Sequence, residues 1–195
     1  MSKIIITDLG NVIVKVDFDK LKKSLNENLR DSKDFELIMN LNIRFNKGGL
    51  TPQEFYNLTM GFMTKQIKYS SFVKLWTDIF KIDEEMCNFY KTLKNDGYNI
   101  ILASNTDPLH YQHIVESYDL SFLTDSFLSY ENHAIKPDQN FFTKLIEKYE
   151  LTPESSIFID DLKENIVAAE KAALTVIHHT DNKNTIDRVL SWLKN

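Results

Sequence analysis

The chain has 195 residues, of which 43% are hydrophobic and 26% charged, so it can bury a substantial core and is not a disordered protein. Its formal net charge of −5 argues against nucleic acid or an anionic membrane as the main partner. The single Cys87 excludes an internal disulfide and a cysteine metal cluster, and its apolar helical surroundings predict a packing role. No apolar run is long enough for a membrane span and MSKIII lacks the layout of a signal peptide, so we expect a cytoplasmic protein, with a monomer as the simplest state.

Short apolar runs rich in β-branched residues predict strands that are covered on both faces of a parallel sheet. In chain order they are KIIITD (3–8), YNIILAS (98–104), the weaker DSFLSY (125–130), SIFIDD (156–161) and LTVIHH (174–179). Helical patterns follow at 83–96, 107–118, 138–149, 162–173 and 185–194. Strands that alternate with helices predict an α/β fold with a Rossmann-like, three-layer core around a parallel sheet.

A long helical insertion interrupts this alternation after the first strand. From Val16 to about Ile82 the sequence shows helical patterns and no convincing strand, and one helix is predicted to begin at Thr51-Pro52 with Glu54 completing a capping box. We therefore divide the chain into a core, 1–15 plus 83–195, and a helical cap, 16–82. A cap beside the C-terminal end of the first strand suggests a lid over a site.

Polar groups follow three of the predicted strands. Asp8 ends the first, Ser104-Asn105-Thr106 ends the second, and Asp160-Asp161 ends the run at 156–161. Each has an ordinary structural interpretation as a turn or a helix cap, and Lys136, held before a proline, could be a surface lysine. Ligands of open parallel sheets bind beyond the carboxyl ends of the strands, however, so all four together indicate a functional site.

Four short motifs occur in a familiar order: DLGNVI, ASNT, KP and IDDLKEN. In this order and on these strand ends, the chain resembles the haloacid dehalogenase (HAD) superfamily over nearly its whole length, and the helical insertion resembles the small cap of that family. The stretches DLGNVIVKVDF, SNTDPLH and FIDDLKENI are most similar to the bacterial sugar-phosphate phosphatase branch that includes α-glucose-1-phosphate phosphatase. The expected function is hydrolysis of a small phosphorylated metabolite, a sugar phosphate.

The resemblance implies a role for each residue of the four motifs. Asp8 would attack phosphorus and form an aspartyl-phosphate. Ser104 and Asn105 would donate hydrogen bonds to phosphate oxygens. Lys136 would neutralise charge on the phosphoryl group and on the nucleophile.

The same resemblance implies a magnesium site. Asp8, the carbonyl of Gly10 and Asp161 would hold Mg²⁺, a hard ion that prefers oxygen ligands. Asp160 would contact these ligands and not the ion itself, and Asn165 would orient the lysine or the metal site. Without a cation, an acid pair beside a nucleophilic aspartate would repel it.

Gly10 is a departure from the pattern of typical HAD phosphatases, which carry an aspartate there as general acid and base. Loss of such a group costs about 10²–10⁴-fold in rate, although the sugar-phosphate phosphatase branch carries the same glycine. Asp17 and His110 are candidates to replace it. Their alternative interpretations are a helix N-cap for Asp17 and a half-buried packing residue for His110.

Two other functions stay open at this point. One is a metal-independent 2-haloacid dehalogenase, against which the Asp160-Asp161 pair argues because those enzymes need no metal. The other is a catalytically weak phosphate- or partner-binding protein of the HAD fold, which Gly10 keeps under consideration.

Overall fold

The computed structural model describes residues 3–194. Its strands are β1 Ile4–Thr7, β2 Val14–Val16, β3 Phe80–Ile82, β4 Asn99–Ser104, β5 Asp125–Leu128, β6 Ser156–Asp160 and β7 Thr175–His178. Its helices are α1 Phe18–Asn26, α2 Asp34–Asn46, α3 Pro52–Met60, α4 Tyr69–Thr77, α5 Glu84–Asn95, α6 Pro108–Ser117, α7 Ser129–Asn132, α8 Gln139–Tyr149, α9 Lys163–Lys171 and α10 Asn182–Lys194. None of these helices combines the length and apolar composition that a membrane crossing requires.

Five strands form one parallel sheet in the order β5-β4-β1-β6-β7. Both faces of the sheet are covered, because neighbouring residues of β1 enter different cores. Ile5 packs with side chains of α5, α6 and α10, whereas Ile6 packs with side chains of α8 and α9. The predicted three-layer α/β core is confirmed.

Helices α1 to α4 share a third hydrophobic cluster, which is separate from the two clusters that cover the sheet. The rings of Phe45 and Phe55 stack inside it with their centroids 4.6 Å apart, and Trp76 packs edge-on against Phe55 at 4.8 Å. Thr51 and Glu54 form the predicted capping box at the start of α3. The aromatic residues of this segment therefore serve mainly as the core of the helical insertion.

The sequence pattern was wrong about strands in the insertion. β2 and β3 pair antiparallel at its two ends, with Val14 opposite Ile82 and Val16 opposite Phe80. Each strand has only three residues and an exposed central lysine, which is too short a run for periodicity to detect. Because β2 crosses the first predicted domain boundary and β3 ends at the second, the division into core and cap stays a prediction.

Local sequence signals explain several boundaries of the core helices. Asp107 caps α6 and Pro108 occupies its first turn. Gly97, with a φ of +90°, follows the end of α5 and turns the chain into β4. Cys87 is buried in the core, and burial raises the pKa of its thiol to about 11, which agrees with a packing role.

Candidate active site

Three adjacent strands bring the predicted site residues to one edge of the sheet. β1 lies between β4 and β6, so the residues that follow them converge there. Asp8 comes directly after β1, Asn105 after β4 and Asp161 after β6. The parallel arrangement therefore explains why polar groups far apart in sequence meet.

Lys136 lies at the centre of this edge, and its side chain is only 1% exposed. Its Nζ donates to three oxygens: Oδ1 of Asp8 at 2.8 Å, Oδ2 of Asp160 at 2.6 Å and the carbonyl of Ala103 at 2.9 Å. Burial alone would lower the pKa of Lys136, but attraction to Asp8 and Asp160 outweighs it and raises the pKa. The ammonium is thus charged, fully hydrogen-bonded and fixed beside the Asp8 carboxylate.

Asp160 is a buried carboxylate whose two oxygens are already occupied. Besides the bond to Lys136, its Oδ1 accepts from the backbone of Leu162 and from Nδ2 of Asn165, each at 2.9 Å. Asn165 therefore contacts Asp160 and reaches the lysine only through it. This geometry makes Asp160 and Asn165 supports for Lys136.

Asp8 is held in a partly desolvated environment. Burial is the main cause that raises its pKa to about 6, attraction to Lys136 lowers the pKa, and the nearby Asp160 raises it again. A cation at the site would favour the ionised form that a nucleophile needs.

The carboxylates of Asp8, Asp160 and Asp161 form a cluster whose nearest oxygens all lie within 4.8 Å of one another. Oδ2 of Asp161 accepts from Nδ2 of Asn11 at 3.0 Å, which fixes that side chain toward Asp8. Within residues 3–194, no N–H donates to the carbonyl of Gly10. One buried ammonium for three carboxylates leaves net negative charge, so the site fits a hard divalent cation.

The side chain of Asn105 binds the backbone of Lys136, a contact that the sequence did not predict. Its side chain makes two hydrogen bonds to the backbone of Lys136, accepting from N and donating to O, both at 2.8 Å. The amide oxygen and one of the two Nδ2 protons are therefore committed to positioning Lys136, which leaves the second Nδ2 proton and the backbone N–H of Asn105 as donors for a phosphate. Ser104 is buried at the end of β4 and borders a cavity beside the site.

The two candidate replacements for the missing acid and base are both occupied. Asp17 caps α1 by accepting from the backbone of Lys20 at 2.8 Å, which is the structural alternative considered for it. The ring of His110 faces Oδ2 of Asp107 at 2.8 Å and the carbonyl of Trp76 at 2.9 Å. Both ring nitrogens of His110 face these oxygen atoms, so neither nitrogen is free for a leaving group.

Two residues make contacts at this edge of the sheet that were not predicted from the sequence. Asn11 adopts a φ of +53°, which asparagine tolerates better than most residues, and from there it reaches Asp161. Asp107 is fully buried and accepts from Trp76, His110 and the first turn of α6. Asn11 could have been noticed as a left-handed turn residue after Gly10, whereas the Asp107 contact to Trp76 has no sequence signal.

A cavity of about 180 Å³ opens between the helical insertion and the sheet edge. Gly10, Ser104 and Asn105 border it on the side of the carboxylates, and α1 and α2 contribute its other wall. A larger and more open depression of about 560 Å³ lies around Tyr111 and Tyr118, but none of the candidate site residues lines it. The smaller cavity is therefore the space available to a substrate.

The chain matches the family model for haloacid dehalogenase-like hydrolases over residues 3–173. Because the match covers most of the chain, the protein belongs to the haloacid dehalogenase-like hydrolases and is an enzyme of the hydrolase class.

Individual relatives agree with this family. A sesquiterpene phosphatase, astK of Aspergillus oryzae, is 23% identical over 159 residues, or 78% of this chain and 80% of the relative. A phosphoglycolate phosphatase of Pasteurella multocida is 28% identical over 116 residues, which span 54% of this chain and only about half, 52%, of that enzyme. The crystal structure of a HAD family enzyme of Bacteroides thetaiotaomicron, in complex with magnesium and inorganic phosphate, superimposes with a TM-score of 0.83 at 21% identity. That superposition covers 93% of this chain and 97% of the other.

Magnesium is the cofactor of the HAD phosphatases, and the donor set of this chain fits it. Asp8 and Asp161 would supply carboxylate oxygens and Gly10 would supply its carbonyl oxygen, the ligand types that Mg²⁺ prefers. Asn165 Oδ1, beside Asp160, is buried and has no hydrogen-bond partner within the described residues. Such an orphaned acceptor is suited to a water molecule of the hydrated ion.

Proposed function

We propose that the protein is a Mg²⁺-dependent phosphomonoesterase that acts on a small phosphorylated metabolite, a sugar phosphate, through an aspartyl-phosphate on Asp8. The observation that carries this proposal is the contact of the Lys136 ammonium with both Asp8 and Asp160, next to Asp161, at the carboxyl edge of the sheet. This arrangement keeps a carboxylate nucleophile beside a fixed positive charge, where a dianionic phosphate can bind.

In the proposed reaction, Oδ2 of Asp8 attacks phosphorus while Lys136 remains bonded to Oδ1. The bond from phosphorus to the ester oxygen breaks, and the leaving alkoxide takes a proton from water. A water molecule then attacks the phosphoryl group, releases inorganic phosphate and restores the Asp8 carboxylate. Bound Mg²⁺ supplies charge neutralisation to the phosphate oxygens.

The phosphate would be held by donors at the strand ends. Ser104 and Asn105 both line the cavity, and their hydroxyl and N–H groups would be the donors to the phosphate, while the Asn105 side chain keeps the Lys136 segment in place. Gly10 adjoins the same cavity without a side chain, which leaves space for the leaving group. The leaving group lies toward α1 and α2.

A dehalogenase is the less favoured chemistry for this site. Such an enzyme uses an aspartate nucleophile without a metal. Here Asn11 holds Asp161 close to Asp8, and Asp161 is a third carboxylate beside Asp8 and Asp160. Without a cation, that third charge would oppose the binding of an anionic substrate.

A panel assay tests the proposed function. Phosphate release is measured from several sugar phosphates and from phenyl phosphate, with Mg²⁺ and with a chelator, and halide release is measured from 2-chloropropionate. Chelator-sensitive phosphate release without halide release is the expected result. Halide release that resists the chelator would contradict the proposal in favour of a dehalogenase, and Mg²⁺ binding without any turnover would contradict it in favour of a binding protein.

Replacing Gly10 by aspartate should accelerate the enzyme. An added Cβ would lie 3.6 Å from Val16 Cγ2 and 3.9 Å from Asp8 Oδ2, both ordinary contacts, so the first atom of a side chain fits at this position. A carboxyl group there could protonate the leaving alcohol and activate water, effects that contribute about 10²–10⁴-fold where they operate. We expect kcat for a sugar phosphate to rise at least about tenfold.

Gly10→Asn is the matched control, because it has the same shape and no carboxyl group to exchange protons. Its kcat should not rise. If Gly10→Asp and Gly10→Asn slow the reaction equally, the absence of the aspartate does not limit turnover in this protein.

A further inference from the structure

Two asparagines of helix α2 line the cavity beside the carboxylate edge. Asn42 and Asn46 are four residues apart, so their side chains lie on the same face of the helix. The Oδ1 atom of each is buried and has no hydrogen-bond partner. Within residues 3–194, neither amide nitrogen donates a hydrogen bond either. Both side-chain amides are therefore without a hydrogen-bond partner among these residues.

Buried amide oxygens without a partner are unusual, because buried polar atoms nearly always find a partner and cost free energy when they do not. Their neighbours cannot satisfy them, since most of the wall is apolar and includes Val16, Phe18 and Phe80. Across the cavity lie Gly10 and Ser104, where the proposed phosphate would bind. The missing partners are thus expected on the leaving group of a bound phosphate ester.

The chemistry of the wall restricts that leaving group. An amide offers one acceptor and one donor, which match a hydroxyl group. Among the described residues, no lysine, arginine, aspartate or glutamate lines the cavity, and both ring nitrogens of the lining histidine, His110, already have contacts. A leaving group with its own carboxylate would find no free cation there.

Size gives a second restriction. The cavity of about 180 Å³ is smaller than the roughly 300–1,000 Å³ of pockets that take drug-sized ligands. A cavity of this volume suits a small leaving group better than the terpenoid that the name of the Aspergillus oryzae relative indicates.

We propose that Asn42 and Asn46 are the specificity residues of this enzyme and that they bind hydroxyl groups of a neutral, polyhydroxylated leaving group. The inference rests on the proposed phosphatase function and adds the residues that select the substrate class.

The test compares glucose 1-phosphate, phenyl phosphate and phosphoglycolate as substrates of Asn42→Leu, Asn46→Leu and the double variant. Leucine has nearly the shape of asparagine and cannot form hydrogen bonds. The kcat/KM ratio of glucose 1-phosphate to phenyl phosphate should fall about tenfold in each single variant and about a hundredfold in the double variant. Asn40→Leu, at an exposed position of the same helix, is the matched control and should not change the ratio.

A thermal melt of the ligand-free protein separates recognition from a structural role. If the amides are unused without substrate, an apolar side chain of the same shape should raise the melting temperature. A lower melting temperature with an unchanged substrate ratio would overturn the inference, as would a wild-type preference for phosphoglycolate over glucose 1-phosphate.

Failure of the phosphatase function itself would be recognised separately, as no phosphate release from any of the three probes. In that case the same variants, made in the Asp8→Asn protein, are tested for thermal stabilisation by glucose 1-phosphate and by phenyl phosphate. Selective loss of stabilisation by glucose 1-phosphate would support the inference, and equal stabilisation in all variants would overturn it.

Discussion

Replacing Lys136 by methionine should lower kcat/KM by at least about 10²–10³-fold. The variant loses the one ammonium that contacts Asp8 and Asp160, so charge on the nucleophile and on the phosphate is no longer neutralised. It should also lower the free energy of unfolding by about 3–5 kcal/mol, because two carboxylates then remain buried without their partner. Steady-state kinetics and urea unfolding measure the two effects.

Lys148→Met is the control, because Lys148 pairs with Asp125 at the surface and its side chain is 43% exposed. Exposed pairs of this kind contribute little to stability. Mg²⁺ should restore part of the stability lost in Lys136→Met, since the ion brings positive charge to the same carboxylates. A Lys136→Met protein that remained as stable and as active as the wild type would refute a role for this lysine in holding the site together.

Asp107→Asn should lower the free energy of unfolding by about 3–5 kcal/mol. The buried carboxylate accepts from Trp76 Nε1 at 3.1 Å and from His110 Nδ1 at 2.8 Å. An asparagine would direct its NH₂ group at donors on one side of the former carboxylate and would remove the negative charge beside the His110 ring. Because Trp76 belongs to α4 and Asp107 to the start of α6, the change should loosen the helical insertion from the core.

The stability loss in Asp107→Asn should be full at neutral pH and should shrink as the pH falls into the acid range. Burial alone would raise the pKa of Asp107, but the His110 ring and the hydrogen bonds outweigh it and lower the pKa. A lowered pKa means that the stabilisation is complete above the ordinary pKa of the carboxyl group and is lost as the pH falls through the lower folded value. Wild type and variant should therefore converge in stability in strong acid.

Asp17→Asn provides the control for that measurement. Asp17 caps α1 from an exposed position, and asparagine is about as good an N-cap as aspartate. Unfolding curves between neutral and acid pH should show almost no change for this variant. An equal stability loss in Asp17→Asn and Asp107→Asn would show that the contact to Trp76 and His110 adds nothing beyond helix capping.

The sheet could be predicted because its strands are continuous apolar runs bounded by polar residues. The run IIIT of β1, for example, is buried on both faces and followed by Asp8, and a parallel sheet then dictates which edge carries the polar groups. The ribbon of β2 and β3 could not be predicted, because three residues give no measurable period.

The sequence predicted that the residues of the four motifs lie together at one edge of the sheet, but it did not predict most of their contacts. Motif order identified Lys136, although 128 residues separate it from Asp8 and no local pattern links the two. The commitment of the Asn105 side chain to the Lys136 backbone, and of His110 to Trp76, depends on tertiary packing alone. For the same reason, Asn42 and Asn46 could not be distinguished from other helical asparagines in the sequence.

The central claim, that Asp8 is a covalent nucleophile, is tested most directly by mass spectrometry of the enzyme quenched in acid during turnover of phenyl phosphate with Mg²⁺. Gly10 offers no carboxyl group to activate water, so breakdown of the aspartyl-phosphate should be slow and the intermediate should accumulate. We predict that the peptide containing Asp8 gains the mass of one phosphoryl group, and that Asp8→Asn protein and chelator-treated wild type show no gain. Continuing phosphate release by Asp8→Asn, or a phosphoryl group on a different residue, would contradict the account.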